Sequence, residues 1–156
     1  MAITVLIVDD EENARRNIAD FLTPKGYEVI GAAGLQDARK SLSRSDVDII
    51  LLDVNLQDGY GPNLLLETAH LMPRPPIILI TAYGDIEMAV DAMQNGAHDF
   101  LTKPISFERL ESSIQRACEI VNMRRELAHL RNSQLQNEHF VVGKSEQWKK
   151  ILDQAK

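Results

Sequence analysis

The sequence contains very little cysteine and no long apolar run, and both absences narrow the class of protein. Cys118 is the one cysteine among 156 residues, so the chain cannot form an internal disulfide and lacks partners for a cysteine-rich metal site. No apolar segment approaches the roughly 18 residues of a membrane span, and Met1–Val8 lacks the charged start and long apolar stretch of a signal peptide. These features predict a cytoplasmic protein without membrane contact.

Positive charge is also scarce. The chain has 17 Lys and Arg residues against 23 Asp and Glu, which gives a formal net charge of −6. This balance argues against a nonspecific nucleic-acid binder with a broad basic surface, and we expect no direct nucleic-acid contact from this chain. Its length suits one domain with an appendage rather than two complete domains.

Two glycine-rich nucleotide-binding motifs are missing. The segment "VDDEEN" follows the first apolar run, where a dinucleotide-binding domain has GxGxxG. The segment "VGKS" at Val142–Ser145 lacks the upstream glycine of the P-loop GxxxxGK[ST]. A dinucleotide-binding module is therefore disfavoured.

Short apolar runs alternate with segments of helical spacing. The runs suit strands that are covered on both faces, and they are Thr4–Val8, Tyr27–Ala32, Asp48–Leu52, Ile77–Thr81 and Asp99–Leu101. The intervening spacing predicts helices through Ala14–Leu22, Leu35–Leu42, Pro62–Leu71 and Ile86–Gln94, and a fifth from about Ser106. This alternation predicts an α/β fold, a (βα)5 doubly wound parallel five-stranded sheet with helices on both faces.

Polar residues follow the predicted strands where ligands of such sheets bind, outside the carboxyl ends. Asp9 and Asp10 follow the first strand, Asp53 the third, Thr81 ends the fourth, and Lys103 follows the fifth. Oxygen ligands of this kind suit Mg²⁺, and the lack of histidine near these ends disfavours zinc or iron. A cation would also offset the repulsion between the crowded acids of "LIVDDEENARR".

Asp53 is the predicted nucleophile of this group, because it lies at the tip of the middle strand where the other residues can surround it. A carboxylate can attack a phosphoryl group and form an acyl phosphate. Lys103 supplies a point charge for a phosphoryl oxygen, and Thr81 supplies a hydroxyl that can donate to the same oxygen.

Each feature also has a simpler interpretation. The acids at 9–12 suit a helix start, Asp53 suits a loop cap, Thr81 suits a β-branched strand residue, and Lys103-Pro104 suits a surface turn. Their joint placement at four strand ends favours the metal and phosphoryl interpretation. A Mg²⁺-dependent phosphohydrolase with an aspartyl nucleophile is a rival, disfavoured because Asn55 occupies the place of its second acid. A constitutive dimerisation module is another rival.

Four segments, "VLIVDDEE", "IILLDVNLQDGYG", "ILITAYGD" and "FLTKPIS", occur in this order at suitable spacing. With them the chain resembles the receiver domain of two-component response regulators from Ile3 to about Cys118. The resemblance implies a flavodoxin-like fold in which Asp53 accepts phosphate from a sensor histidine kinase. It implies a phosphoacceptor signalling domain rather than an enzyme.

The resemblance also implies individual roles. Asp9, Asp10 and Asp53 would hold Mg²⁺ together with the backbone carbonyl of Asn55. In the same way Thr81 would be the switch hydroxyl and Lys103 the phosphate partner, followed by a cis peptide bond to Pro104.

The switch aromatic of the family falls at Phe100, where many members have tyrosine. Phe100 has no hydroxyl with which to form a hydrogen bond, so any switching there must depend on packing.

The segment "TAYGDIEMAVDAMQNGAHDFLTKPI" is similar to receivers attached to AAA+ activators of sigma-54 RNA polymerase, the NtrC-like group. This implies a role in transcription regulation through a C-terminal AAA+ domain. We expect a receiver domain at 1–118, a helical coiled-coil linker at 119–137 and the start of a truncated AAA+ domain at 138–156. The chain would then be an amino-terminal piece of a longer regulator.

Two apolar seams follow Ser106 and differ in phase. The first is predicted to pack on the receiver sheet and comprises Phe107, Leu110, Ile114, Ala117 and Val121. The second is predicted to form a short coiled coil in a homodimer through the fifth helix and the linker, and comprises Ile120, Met123, Leu127 and Leu130. One wide amphipathic face on a monomeric helix is the alternative. Whether phosphorylation forms or releases the dimer stays open.

Overall fold

A parallel sheet with helices on both faces organises the protein. The computed structural model describes residues 2–82 and 86–140, with side chains described at 2–82 and 87–132. The strands are β1 (Thr4–Val8), β2 (Glu28–Ala32), β3 (Ile49–Asp53), β4 (Asn55–Leu56), β5 (Gly59–Tyr60), β6 (Ile77–Thr81) and β7 (Asp99–Thr102). The main sheet has five strands in the order β2-β1-β3-β6-β7, and each neighbouring pair is parallel.

Helices connect the strands of this sheet. They are α1 (Glu12–Leu22), α2 (Leu35–Arg44), α3 (Asn63–Thr68), α4 (Ile86–Gln94) and α5 (Phe107–Phe140), and a short 3₁₀ helix at Thr23–Lys25 follows α1. The predicted (βα)5 doubly wound fold is confirmed. No helix within the described ranges has the length and apolar character needed to cross a bilayer.

The two faces of the sheet are covered by different helices, because alternate residues of each strand point to opposite faces. One core cluster joins alternate β1 and β3 residues such as Leu6 and Ile50 to residues of α2, α3 and α4. The other joins Ile7 and Leu51 to residues of α1 and α5. All five residues of β3 are buried, as its continuous apolar sequence predicts for a central strand.

Helix α3 is shorter than its apolar spacing predicts, since it ends at Thr68 and not near Leu71. The Thr68 hydroxyl donates to the carbonyl of Leu64 at 2.8 Å, and one guanidinium nitrogen of Arg74 donates to the carbonyl of Leu65 at 2.7 Å. Side-chain hydrogen bonds to these carbonyls compete with continued helix.

The first seam of α5 packs into the core as predicted, with one exception. Leu110, Ile114 and Ala117 are fully buried, and Val121 is 6% exposed. Phe107 is instead 42% exposed and stacks on Phe21 with ring centroids 4.7 Å apart.

The chain divides into two compact units, Met1–Val121 and Asn122–Lys156. The predicted receiver boundary at 118 and AAA+ start at 138 stay predictions. Helix α5 continues to Phe140, past the predicted end of the linker at 137. The remainder of the predicted AAA+ segment lies outside the described residues.

Candidate functional site

Three acidic side chains meet at the carboxyl end of the sheet. Strands β1 and β3 are parallel neighbours, so Asp9, which follows β1, and Asp53, which ends β3, lie at the same edge. One carboxylate oxygen from each of Asp9, Asp10 and Asp53 lies within 4.8 Å of the other two. Asp9 is 1% exposed and Asp53 is 6% exposed. The structure thus brings together the three predicted carboxylate ligands in a largely buried cluster.

Lys103 adds one positive charge to this cluster. Its Nζ lies 3.1 Å from Oδ2 of Asp53 and 3.4 Å from Oδ2 of Asp9. The Lys103 backbone amide donates to the carbonyl of Thr81 at 2.7 Å, and the bond to Pro104 is cis, as the family resemblance implies. The loop after β7 therefore holds the ammonium group beside two carboxylates.

The electrostatics of the cluster favour a further cation. Burial raises the pKa of Asp53, an effect that Lys103 and the Asn55 amide oppose and that the Asp9 charge strengthens. Burial lowers the pKa of Lys103, but the neighbouring Asp53 and Asp9 carboxylates outweigh it and the net pKa is raised. Among the described residues, ion pairs join two of the three carboxylates to the Lys103 ammonium group, so the carboxylates outnumber the side-chain cation paired with them.

Backbone and guanidinium groups hold the first acidic loop in place. The Glu11 amide donates to Oδ1 of Asp9 at 2.9 Å, and Arg15 of α1 donates to the Asp9 carbonyl at 2.5 Å. The sequence reasoning missed Arg15. Its position on the helix that begins just after the acids is the signal that could have found it.

A small antiparallel hairpin follows Asp53 and was not predicted. Its first residue, Asn55, pairs with Tyr60, and the Asn55 amide lies 3.3 Å from Oδ1 of Asp53. The chain then returns beneath the strand end at Gly61, where an added Cβ would lie 2.1 Å from the Asp53 carbonyl oxygen. The Asp58-Gly59 pair is a turn signal that could have indicated the hairpin.

The two predicted switch residues occupy different environments. Thr81 ends β6 at the carboxyl edge of the sheet and is 5% exposed. Phe100 lies within β7 opposite Leu79 and is 38% exposed. Thr81 therefore lies at the same sheet edge as the acidic cluster, whereas Phe100 is a partly exposed strand residue.

The second seam of α5 is largely exposed. Ile120 is half-buried, whereas Met123 is 59% exposed and Leu127 and Leu130 are each 53% exposed. Three large apolar side chains at helical spacing are therefore accessible on this part of α5.

A family model matches most of the chain. The model of the response regulator receiver domain matches residues 5–115, a range that includes the acidic cluster and Lys103. Regulatory protein AtoC of Escherichia coli is 33% identical to the present chain, and the match covers 95% of the present chain. The nitrogen assimilation regulatory protein NtrX of Azorhizobium caulinodans is 35% identical, and that match covers 93% of the present chain. The chain spans only 30% and 32%, respectively, of these two relatives.

Solved structures show the same likeness. The NtrX structure from Brucella abortus in complex with ADP has a TM-score of 0.75 and 34% identity, and the match covers 83% of this chain and 30% of that one. The signal receiver domain of a putative Luxo repressor protein from Vibrio parahaemolyticus has a TM-score of 0.77 and 27% identity. This match covers 81% of the present chain and 98% of that one. With the family model, these likenesses place the chain in the response regulator receiver domain family, a family of signalling domains, among relatives that are NtrC-family regulators.

Proposed function

We propose that the protein is a phosphorylation-controlled receiver in which Asp53 accepts a phosphoryl group from a sensor histidine kinase. The observation that carries the proposal is the position of Lys103, whose ammonium group contacts Asp53 and Asp9 inside an acidic cluster. This arrangement provides a nucleophilic carboxylate, a cation for the transferred oxygens and further carboxylates for a metal ion.

The residues fit a resident Mg²⁺ ion. Two like charges about 4 Å apart repel by about 4 kcal/mol at an effective dielectric near 20, and one lysine offsets only part of this among three carboxylates. Mg²⁺ prefers oxygen ligands and is held by few carboxylates. Asp9, Asp10 and Asp53 would hold it with the Asn55 carbonyl. Bound there, Mg²⁺ supplies positive charge to the phosphoryl oxygens.

Phosphoryl transfer then requires little of the protein beyond position and charge. An Asp53 carboxylate oxygen forms the bond to phosphorus, while the bond from phosphorus to the donor atom breaks and the leaving group takes the electron pair. The Lys103 ammonium group balances the charge on the transferred oxygens. The Thr81 hydroxyl donates a hydrogen bond to one of them.

The new negative charge provides the signal. An acyl phosphate carries more charge and more acceptor oxygens than the Asp53 carboxylate, so Thr81 and Lys103 move toward it. Because Lys103 follows β7 directly, this movement reaches Phe100 on the same strand. The partly exposed Phe100 ring responds by repacking, since it has no hydroxyl to bond.

This signal acts through a homodimer, which it either forms or releases, and the homodimer controls a following AAA+ domain. Helix α5 with Ile120, Met123, Leu127 and Leu130 forms the dimer contact, in which exposed apolar side chains become buried. The similarity to NtrC-family regulators supports an AAA+ domain that acts on sigma-54 RNA polymerase in transcription.

The test is treatment of the protein with radiolabelled acetyl phosphate, with Mg²⁺ and with Mg²⁺ removed by a chelator. The proposal predicts one stable, Mg²⁺-dependent phosphoryl group per chain and no continuing release of inorganic phosphate beyond slow loss of that group. Rapid steady turnover that Asp53→Asn abolishes would instead indicate a phosphohydrolase, and labelling without Mg²⁺ would contradict the role of the metal ion.

A further inference from the structure

Asp58 caps α2 from another part of the chain. Gly34 occupies the position before the first residue of α2, and it has no side chain to accept the free amides of the first turn. The Asp58 carboxylate accepts from the Leu35 amide at 2.9 Å and from the Gln36 amide at 3.1 Å. A carboxylate at a helix N-terminus is favoured by both hydrogen bonding and the helix dipole.

Two glycines make this contact close. A Cβ added at Gly34 would lie 2.6 Å from Oδ1 of Asp58, and one at Gly59 would lie 2.7 Å from Cδ1 of Leu35. Leu35 is only 3% exposed. The tip of the β4–β5 hairpin is therefore held against α2 by packing as well as by hydrogen bonds.

The opposite end of the hairpin is closed at the phosphoacceptor. The Gly61 amide donates to the Val54 carbonyl at 2.7 Å, and the Asn55 amide lies 3.3 Å from Oδ1 of Asp53. One short structure thus joins the first turn of α2 to the side chain of Asp53.

We propose that Asp58 is a positioning residue for the phosphoacceptor site. By holding the hairpin against α2, its carboxylate fixes the backbone of Asn55, and through Asn55 it sets the affinity of the site for a divalent cation and the lifetime of the acyl phosphate. This inference rests on the proposed phosphoacceptor role of Asp53. It adds a residue outside the acidic cluster that controls the chemistry of the cluster.

The test compares Asp58→Ala with the control Asp37→Ala, which removes another exposed acid from the first turn of α2. The readouts are the Mg²⁺ dissociation constant from calorimetry, the half-life of the acyl phosphate, and the amide chemical shifts of Leu35, Gln36 and Asn55. Gly34→Ala is a second way to disrupt the cap, since its new Cβ displaces the Asp58 carboxylate from the amides of α2.

We expect Asp58→Ala to raise the Mg²⁺ dissociation constant about threefold to tenfold, below the effect of removing a direct hydrogen-bond partner of a ligand. The Asn55 amide resonance shifts, the acyl phosphate half-life changes, and Gly34→Ala reproduces both effects. Asp37→Ala behaves like the wild type.

A variant that loses stability but keeps the wild-type Mg²⁺ affinity, Asn55 shift and phosphoryl half-life would overturn the inference and leave Asp58 a helix cap only. The proposed function itself fails if the wild-type protein neither binds Mg²⁺ nor takes up phosphate. These two failures are therefore distinguished by the wild-type measurement.

Discussion

The Nζ atom of Lys103 lies 3.1 Å from Oδ2 of Asp53, at the end of strands that are separated by β6 in the sheet. The Lys103 side chain is 26% exposed and that of Asp53 is 9% exposed. The ammonium group thus pairs with a carboxylate that little water can reach.

Lys103→Met tests how far this ammonium group stabilises the fold. Breaking a buried ion pair costs about 3–5 kcal/mol, and the partial exposure of Lys103 lowers our expectation to about 1–3 kcal/mol in the absence of Mg²⁺. Added Mg²⁺ restores part of the loss because it neutralises the same carboxylates. Denaturant unfolding with and without Mg²⁺ measures both effects.

Arg16→Met is the control for the loss of an ordinary surface cation, since Arg16 pairs with Glu12 on the exposed side of α1 at 3.2 Å. Such pairs contribute about 0–1 kcal/mol. Equal losses in the two variants, with no response to Mg²⁺ in Lys103→Met, would contradict the electrostatic role of Lys103.

Asp10→Asn separates stability from metal binding. Removing one of three clustered negative charges relieves repulsion, so the unfolding free energy without Mg²⁺ rises by about 1 kcal/mol. The wild type gains about 2.7 kcal/mol at a Mg²⁺ concentration 100 times its dissociation constant, and Asp10→Asn gains less at the same concentration. Thermal unfolding at a series of Mg²⁺ concentrations measures how much stability each protein gains from Mg²⁺. If Asp10→Asn gains as much as the wild type, Asp10 is excluded as a ligand.

Leu127→Lys tests the proposed dimer contact. Leu127 is 53% exposed, so the substitution changes the stability of the single chain by less than about 0.5 kcal/mol, as is usual for surface positions. Self-association weakens because a charge enters the apolar contact. Sedimentation analysis measures this against Leu66→Lys, at a residue of α3 that is 64% exposed. Association equally weakened by both variants, or by neither, would contradict the contact.

Tyr27 supplies a pH dependence. Burial, followed by its hydrogen bond to Cys118, raises the pKa of Tyr27 to about 12. The unfolded chain ionises this group near pH 10, so stability from the neutral phenol is complete below pH 10 and is lost as the pH rises toward 12. Tyr27→Phe removes this contribution, so between pH 8 and pH 12 the unfolding free energy of the variant falls less steeply with pH than that of the wild type. Equal slopes for the two proteins would show that folding does not raise the pKa of the Tyr27 hydroxyl.

The strand-end acids could be predicted because their position depends on local sequence. Each apolar run is covered on both faces, and the first polar residue after it, such as Asp9, must emerge at the carboxyl edge. Lys103 could be predicted at the same edge, although it is far from Asp9 in sequence, because parallel strands all end at one edge of the sheet.

The contact between the hairpin and α2 could not be predicted in the same way. The bond from Asp58 to Leu35 joins residues 23 positions apart, and no periodicity in either segment indicates the partner. Helix α3 ended early for a similar reason, because the Thr68 hydroxyl and Arg74 compete for carbonyls that apolar spacing alone assigns to the helix.

The most direct test of the phosphoacceptor is chemical mapping of the modified side chain. The protein is treated with acetyl phosphate and Mg²⁺ and then with borohydride, which reduces an acyl-phosphorylated aspartate to homoserine. Peptide mass spectrometry then locates the change. We predict homoserine at position 53 alone, and none in Asp53→Asn. Homoserine at position 9, 10 or 58, or its formation in Asp53→Asn, would contradict the account.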